Sequence, residues 1–362
     1  MKKHLLILSA SLACTFLSHA QDSTTKAPSI EVAGVKITGS LDAYYRYNFS
    51  DPSAFDAFGG THYGNDYTSF TNSQNSFELG MASLQGSHSF GKASAFIDLG
   101  FGRRAEEFNY GNPDHPTLFA VKQAYLSYAI SDKFKLTMGK WATHVGYELA
   151  DAYLNRNYSM DYMFSFGPFS HTGLKADIGL GGKSALMVGV ANTTDLVTTN
   201  SSRKFAIAQF STGSKNDKVK AYLNYQGTFG GAYSLNQLDL VVTGAVSDKF
   251  SIGYNGTFQT VKPDGGDGDL WWGSAVYLNY DPVSKFGITL RGEYFDNKKA
   301  VAVIAPYTSI FDVTLSPNFK IGNLTIIPEL RVDAGKDEVF FKNNGDATKT
   351  TVSGLLAATY HF

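Results

Sequence analysis

The chain has 362 residues, of which 14% are aromatic and only 17% are charged. This charged fraction lies below the roughly 25% typical of soluble domains, and a formal net charge of −1 is too close to neutral for a nucleic-acid-binding protein. Cys14 is the only cysteine, so a mature chain that lacks it has no disulfide, thiolate metal site or catalytic thiol.

Residues 1–20 have the organisation of a secretory signal peptide. Two lysines follow the initial methionine, Leu5 to Leu17 form an apolar region, and Ser18-His19-Ala20 is a small-x-small cleavage site. We predict cleavage after this site, which leaves residues 21–34 as a polar periplasmic tail. A lipoprotein signal at Cys14 is the alternative, but the apolar stretch before that cysteine is short.

From residue 35 onward the chain alternates strand-like runs with two kinds of connector. We count sixteen runs in which apolar and polar residues alternate with a period of two. Every second connector is short and those between them are longer, with one exception near Gly230-Gly231. The predicted strands span residues 35–49, 75–90, 92–106, 118–130, 134–147, 168–181, 184–193, 203–212, 218–229, 235–246, 250–262, 270–280, 286–296, 306–316, 322–333 and 350–362.

This pattern predicts an all-β fold class: a transmembrane antiparallel up-and-down β-barrel of about 16 strands, formed by residues 35–362. Short turns on one side and long loops on the other are typical of outer-membrane barrels, whose turns face the periplasm. Alternation alone also fits a soluble β-sandwich. The signal peptide, the connector asymmetry and the aromatic residues at strand ends favour the barrel.

The last predicted strand ends on an aromatic residue at the chain terminus. Every second residue from Val352 to Phe362 is apolar or small, and Tyr360 is a second aromatic residue of this series. Outer-membrane barrels commonly end on such a strand, because it closes the barrel and its end lies at the membrane interface. We therefore expect the last strand to pair with the first.

Charged residues on the polar faces of the predicted strands indicate a water-filled lumen. A barrel of sixteen strands is wide enough for water, whereas an Arg or Lys facing lipid near the midplane would cost about 2–4 kcal/mol. Such residues are therefore expected to line the pore wall or to pair across it. We assign to this wall Asp42, Arg46, Arg104, Arg291, Glu293, Glu329 and Arg331.

The connector at residues 147–167 is long and combines charges with many aromatic side chains. Exposure of these aromatic residues to water is unfavourable, so we expect the segment to fold into the barrel and narrow it. Its charges would then face arginines of the wall and create a transverse field at the constriction. The alternative is a loop packed on top of the barrel or at a subunit contact. The predicted constriction residues are Glu148, Asp151, Arg156 and Asp161.

The sequence around this connector resembles a known family. The stretches MGKWATHVGYE (138–148) and GPFSHTG (167–173) resemble the OmpL-type β-barrel porin family of Gram-negative outer membranes. In that family a Gly-Lys/Arg strand ends in a Gly-Tyr/Leu-Glu corner, enters an inserted loop and returns through Pro-Phe-x-His-Thr-Gly. The matching residues are Gly139, Lys140, Gly146, Tyr147, Glu148, Pro168, Phe169, His171, Thr172 and Gly173.

The resemblance implies passive diffusion of solutes without a defined substrate. It also implies that Tyr360 and Phe362 form the terminal signal read by the barrel-assembly machinery. We therefore predict a porin, surrounded by lipid of a Gram-negative outer membrane, that passes small hydrophilic solutes. No cofactor, catalytic residue, metal site or nucleic-acid partner is predicted, and analogy with other barrels of this size predicts a homotrimer.

Two other functions remain open from the sequence. One is a barrel enzyme, although we can place no set of serine, histidine and carboxylate on one rim. The other is a binding or adhesion protein that acts through its long loops at residues 50–74 and 334–349. A conducting pore would distinguish the porin from both.

Overall fold

The computed structural model describes residues 29–50, 65–111, 116–229, 233–263, 266–297 and 308–362. The predicted signal peptide and its cleavage point lie outside these residues. Sixteen long strands form one closed antiparallel barrel, which closes where the last long strand pairs with the first. The predicted all-β barrel of sixteen strands is therefore confirmed.

Besides the sixteen long strands, the structure has three short ones. Ile30–Val32 (β1) pairs with the start of β2 (Val35–Asn48) and extends the barrel sheet, whereas Phe340–Phe341 (β17) and Ala347–Thr348 (β18) form a separate two-stranded sheet. Two short helices, α1 Arg103–Phe108 and α2 Tyr162–Phe166, lie in connectors, and no helix in the described part of the chain is long and apolar enough to cross a membrane. The strands are β1 Ile30–Val32, β2 Val35–Asn48, β3 Ser76–Phe90, β4 Ala93–Phe101, β5 Val121–Ser131, β6 Phe134–Ala142, β7 Ser170–Gly181, β8 Ser184–Ala191, β9 Lys204–Gly213, β10 Val219–Phe229, β11 Tyr233–Ala245, β12 Phe250–Pro263, β13 Asp269–Val283, β14 Phe286–Asp296, β15 Ser309–Ile321, β16 Leu324–Gly335, β17 Phe340–Phe341, β18 Ala347–Thr348 and β19 Thr350–His361.

Within the described residues, seven short connectors lie at one end of the barrel, which we call the short-turn end. They have two to five residues each and follow β3, β5, β7, β9, β11, β13 and β15. The chain terminus lies at the same end. There the Gly39 amide donates to the Phe362 carbonyl at 2.8 Å, and the Phe362 amide donates to the Gly39 carbonyl at 2.9 Å. A Cβ on Gly39 would lie 2.6 Å from the Phe362 ring. Glycine therefore lets the terminal aromatic residue pack on the first barrel strand.

The two faces of the barrel strands differ as a period-two pattern requires. In β14, Leu290 is 38% exposed whereas its neighbour Arg291 is fully buried, and the same contrast separates Leu330 from Arg331 in β16. The exposed series is apolar and faces outward, as a lipid-facing surface does. The buried series faces the lumen, so packed protein occupies much of the barrel interior.

Two predicted strands end earlier in the structure: the strand predicted at 134–147 ends at Ala142, and the second is the strand before Gly102. The strand predicted at 92–106 ends at Phe101, because the chain bends at Gly102 and continues as α1. Gly102 has a φ of 111°, a backbone conformation that favours glycine. Arg104, predicted on a strand of the wall, therefore lies in a helix.

Two connecting segments also differ from the prediction. The turn predicted at 316–323 is shorter, because β15 continues to Ile321 and Gly322 turns the chain with a φ of 61°. The segment predicted as a tail at 21–34 includes β1 in its described part, and this strand pairs with the start of β2.

Candidate functional site in the barrel lumen

The connector between β6 and β7 lies inside the barrel. Residues 143–169, which we call the inserted loop, leave the wall at the end of β6 and return to it at the start of β7. Most of their side chains are buried, and Tyr158, Met160 and Tyr162 are each at most 1% exposed. The aromatic residues of this loop are thus packed within the lumen.

Two wall carboxylates bind the backbone of the inserted loop. Glu329 of β16 accepts hydrogen bonds from the amides of residues 158 and 159, at 2.7 and 3.1 Å. Glu293 of β14 accepts from the amides of residues 162 and 163, at 2.7 and 2.9 Å. Each carboxyl group satisfies two successive amides that would otherwise be buried without a partner.

Two wall arginines bind the same part of the loop. Arg291 of β14 donates to Glu148 Oε1 and to a loop carbonyl, both at 2.7 Å. Arg331 of β16 donates to the next loop carbonyl, also at 2.7 Å. Both arginines also pair with Asp312 of β15, at 3.0 and 2.8 Å. These guanidinium groups are buried, and the carboxylates around them compensate their charge.

Glu148 and Asp161 are buried between the loop and the wall. Each is at most 2% exposed, Glu148 Oε2 accepts from the Asp161 amide at 2.8 Å, and Asp161 caps α2 by accepting from the Phe164 amide at 2.6 Å. Burial and the nearby Asp161 carboxyl raise the pKa of Glu148 to about 8, although Arg291 acts in the opposite direction. Both carboxyl groups thus fix the loop to the wall, and Glu148 also lines a cavity between the two.

The other two predicted constriction residues attach the loop to different parts of the wall. Lys122 of β5 donates to Asp151 Oδ1 at 2.5 Å and pairs with Asp98 of β4 at 3.0 Å. Arg156 donates to Asp281 Oδ1 of β13 at 2.8 Å. With a side chain that is 23% exposed, Arg156 has the greatest contact with solvent among the four.

The remaining predicted wall residues also lie in the lumen. Asp42 of β2 accepts from the Tyr158 hydroxyl at 2.5 Å, and Arg46 of β2 pairs with Asp66 at 3.5 Å. Arg104 reaches this region from α1, with its Nε 3.9 Å from Asp42 Oδ1 and its guanidinium 4.8 Å from the centre of the Tyr158 ring. All seven predicted wall residues are buried.

A second segment in the lumen was not predicted from the sequence. Residues 65–75 lie almost entirely in the connector at 50–74, which is predicted to be an external loop. Asn65 exchanges hydrogen bonds of 2.7 and 2.9 Å with the Phe341 backbone, and Phe70 is fully buried in an aromatic cluster with the inserted loop.

The residues that resemble the family motif form the two corners of the inserted loop. A Cβ would lie 2.3 Å from a neighbouring carbonyl oxygen at Gly139 and 2.1 Å from one at Gly173, so strand pairing here requires glycine. Gly146 has a φ of 94° at the entry corner. Tyr147 follows it and stacks on Tyr277 of β13, with ring centres 4.0 Å apart.

The return corner depends on a buried aspartate. Pro168 and Phe169 are buried, and the amide of Phe169 donates to Asp195 Oδ1 at 2.8 Å. The next amide donates to the same oxygen at 2.7 Å. Burial raises the pKa of Asp195 to about 6, although these amides favour the ionised form.

Three further motif residues lie where β6 pairs with β7. Lys140 is opposite Thr172, and Trp141 is opposite His171. Lys140 donates to a carbonyl of β5 at 2.9 Å, and His171 Nε2 lies 3.3 Å from Thr143 Oγ1. These contacts join the neck of the inserted loop to the sheet.

Two cavities lie between the inserted loop and the wall formed by β6–β11. The larger is lined by β6–β9 and by His144 of the loop. The smaller is lined by the first part of the loop and by β9–β11. His144 and Gln209 line both, so the cavities adjoin each other.

The larger cavity is lined by a lysine that makes no ion pair among the described residues. Lys175 of β7 places its Nζ 5.2 Å from the centre of the Trp141 ring and makes no ion pair within the described part of the chain. Asp177, on the same face of β7, pairs with Lys135 at 3.3 Å. The lining thus contains Lys175 and an aspartate that is already paired with a second lysine.

Proteins of known structure share the architecture of this chain. The anion-selective porin from Comamonas acidovorans has a TM-score of 0.58 at 12% identity, with 91% of this chain and 99% of that chain covered. The outer membrane channel DcaP of Acinetobacter baumannii has a TM-score of 0.59 at 12% identity, with 92% and 99% covered. Pseudomonas putida OprB has 0.57 at 12% identity, with 91% and 94% covered. At this identity the similarity shows the barrel fold.

The family is established by sequence. No curated protein matches the chain significantly. The family model described as "Putative beta-barrel porin-2, OmpL-like" matches residues 34–362. This match includes both corners of the inserted loop and the terminal strand, and it confirms the resemblance based on the motif. The chain therefore belongs to this family of outer-membrane β-barrel porins.

Proposed function

We propose that this protein lets small hydrophilic solutes diffuse passively across the outer membrane. The observation that carries the proposal is a closed barrel with an apolar outer face, whose lumen retains adjoining cavities beside the inserted loop. Membership of a porin family supports it. Export with cleavage after Ala20, insertion by the barrel-assembly machinery through Tyr360 and Phe362, and assembly as a homotrimer are parts of the same proposal.

The solute path in this proposal follows the wall formed by β6–β11. On the opposite side, from β13 through β19 to β2, the lumen-facing residues are buried against the inserted loop and against residues 65–75. A path confined to one side of the lumen admits small solutes and carries less current than an open barrel of the same strand number.

The charge of the larger cavity favours small anions. Lys175 makes no ion pair among the described residues, whereas Asp177 pairs with Lys135. In a narrow passage bounded by protein, a single fixed charge influences ions more strongly than in bulk water. We therefore expect the channel to be more permeable to chloride than to potassium.

The test is single-channel recording in a planar lipid bilayer, with the reversal potential measured across a potassium chloride gradient. We expect stepwise openings of low conductance and a reversal potential whose sign shows that chloride permeates more readily than potassium. In K175Q we expect this preference for chloride to be smaller. The matched control is K92Q, which removes a lysine from a turn outside the lumen. A folded, inserted barrel that carries no current would contradict the proposal and favour a barrel enzyme or a loop-mediated binding protein.

A further inference from the structure

The turns at the short-turn end of the barrel share a composition that solute diffusion does not require. Six of the seven contain at least one exposed lysine, and together these six have seven lysines against three aspartates, a net charge of +4. The lysines are Lys92, Lys133, Lys183, Lys215, Lys218, Lys249 and Lys285, and the aspartates are Asp132, Asp217 and Asp248.

Each of these turns also adjoins an apolar residue of the outward face. Phe90 is 53% exposed and lies two residues before Lys92, and Val246 is 62% exposed and lies three residues before Lys249. The same arrangement recurs at Ile130, Leu180, Val219 and Val283. An apolar side chain next to an ammonium group is suited to the boundary between acyl chains and head groups, because the stem of lysine packs on apolar surface while its charge stays in water.

Most of these ammonium groups are not compensated by the protein. Lys183 pairs with Asp217 at 2.7 Å. Four others, Lys92, Lys133, Lys249 and Lys285, make no ion pair among the described residues, and Lys92 Nζ donates only to a backbone carbonyl at 3.1 Å. Their charge is therefore free to attract an anion on the outside of the barrel.

The opposite end of the barrel does not have this excess of positive charge. Its exposed charged residues in the described ranges are four lysines and six acidic residues, a net charge of −2. The lysines are Lys262, Lys336, Lys342 and Lys349, and the acidic residues are Glu106, Asp267, Asp269, Asp337, Glu338 and Asp346. The positive charge thus belongs to one membrane boundary only.

We propose that the lysines of the short turns form a collar that binds the head groups of anionic phospholipids in the periplasmic leaflet of the outer membrane. The assignment to this leaflet rests on the proposed function, because short turns of outer-membrane barrels face the periplasm. Because only the short-turn end has an excess of positive charge, we assign the bound lipids to the phospholipids at that end and not to the lipids of the outer leaflet. Basic residues held next to an anionic leaflet attract its lipids in this way.

The test compares two variants that lose the same charge at opposite ends. The wild-type barrel is reconstituted in phosphatidylcholine bilayers, and electron spin resonance measures how strongly spin-labelled phosphatidylglycerol is preferred over spin-labelled phosphatidylcholine at the protein surface. The collar variant carries K92Q, K133Q, K249Q and K285Q, and the matched control carries K262Q, K336Q, K342Q and K349Q.

We expect the wild type and the control to prefer phosphatidylglycerol about twofold at low salt, since only lipids next to a turn experience the attraction. The collar variant should show no preference, and high salt should abolish the preference of the other two. A collar variant that retains the preference, or a control that loses it, would overturn the inference.

Single-channel recordings of the same three proteins separate this inference from the proposed function. The substituted lysines lie outside the lumen, so all three proteins should conduct alike. If the collar variant conducts and keeps the lipid preference of the wild type, the proposed lipid binding by the collar is refuted and the diffusion function is not. A lipid preference that depends on the collar in a barrel without conductance would refute the diffusion function alone.

Discussion

The lumen of this barrel is organised by individual carboxyl groups that bind backbone amides. Glu293 and Glu329 each accept two successive amides of the inserted loop, and Asp195 does the same at its return corner. An irregular segment in the lumen cannot satisfy its amides through a sheet, so wall side chains supply the acceptors. The charges of the wall therefore hold the loop in place as well as shaping the field of the passage.

Glu329 offers the simplest test of this arrangement. Replacement by alanine leaves two loop amides without their acceptor, at a cost of about 1–3 kcal/mol for each buried group. We expect E329A to have a higher mean conductance and larger current fluctuations than the wild type, with E329Q between them because an amide keeps one acceptor oxygen. The control is E338A, an exposed residue outside the lumen. Identical recordings for E329A and the control would refute the anchoring role.

Asp195 gives the return corner a pH dependence. Burial raises its pKa from 3.8 to about 6, so the folded state binds this proton more tightly than the unfolded state. The contribution of Asp195 to the free energy of unfolding is therefore fully present below about pH 4. It is lost as the pH rises through about 6, and the loss amounts to at most about 3 kcal/mol.

Unfolding in detergent at acidic and neutral pH measures this effect. We expect D195N to remove the part of the pH dependence that belongs to Asp195, because asparagine does not titrate. D248N, at an exposed turn, should behave like the wild type. If D195N lost as much stability as the wild type on raising the pH, the assignment would fail.

Residue types were easier to predict than residue partners. Glu148 was correctly placed in the segment that enters the lumen, but its burial depends on Arg291, which lies 143 positions away in the sequence. A single sequence contains no information on such a pairing. The sequence predicts Glu148 at a water-filled constriction, whereas the structure places it in an ion pair with Arg291 at the edge of the smaller cavity.

At the scale of elements, the inserted loop is the main obstacle in the lumen. Residues 150–160 can be replaced by a short glycine-serine linker, since Glu148 Oε2 and the Asp161 amide, which flank them, are 2.8 Å apart. We expect conductance to rise several-fold, because the wall formed by β13–β16 would become accessible to water. The same linker in place of residues 343–346, an exposed hairpin tip, should leave conductance unchanged. Equal conductance in both variants would mean that the loop does not limit the passage.

The strands could be predicted because each has a local signal. Alternation and short turns defined all sixteen, and 286–296 was placed without error. The segment at 65–75 was missed because it has no periodic pattern and takes its place through contacts such as Asn65 with Phe341, which only the closed barrel brings together. Strand 92–106 was predicted too long because α1 is too short to show a helical period.

At the scale of the molecule, the chain combines an architecture wide enough for an open pore with a lumen mostly filled by its own connectors. The interior of one side is sealed by the inserted loop, while adjoining cavities lie along β6–β11. Passage beside the loop on that side is the central claim of this account.

Cysteine accessibility tests this claim most directly, since Cys14 is the only cysteine of the sequence and lies in the predicted signal peptide. Ser211 lines the larger cavity, whereas Ser353 of β19 is a buried lumen residue on the sealed side. The measurement is the single-channel current of S211C and S353C before and after a charged, water-soluble thiol reagent. We predict that the reagent reduces the current of S211C and leaves that of S353C unchanged. Reduction in S353C with none in S211C would place the passage on the other side of the loop and contradict the account.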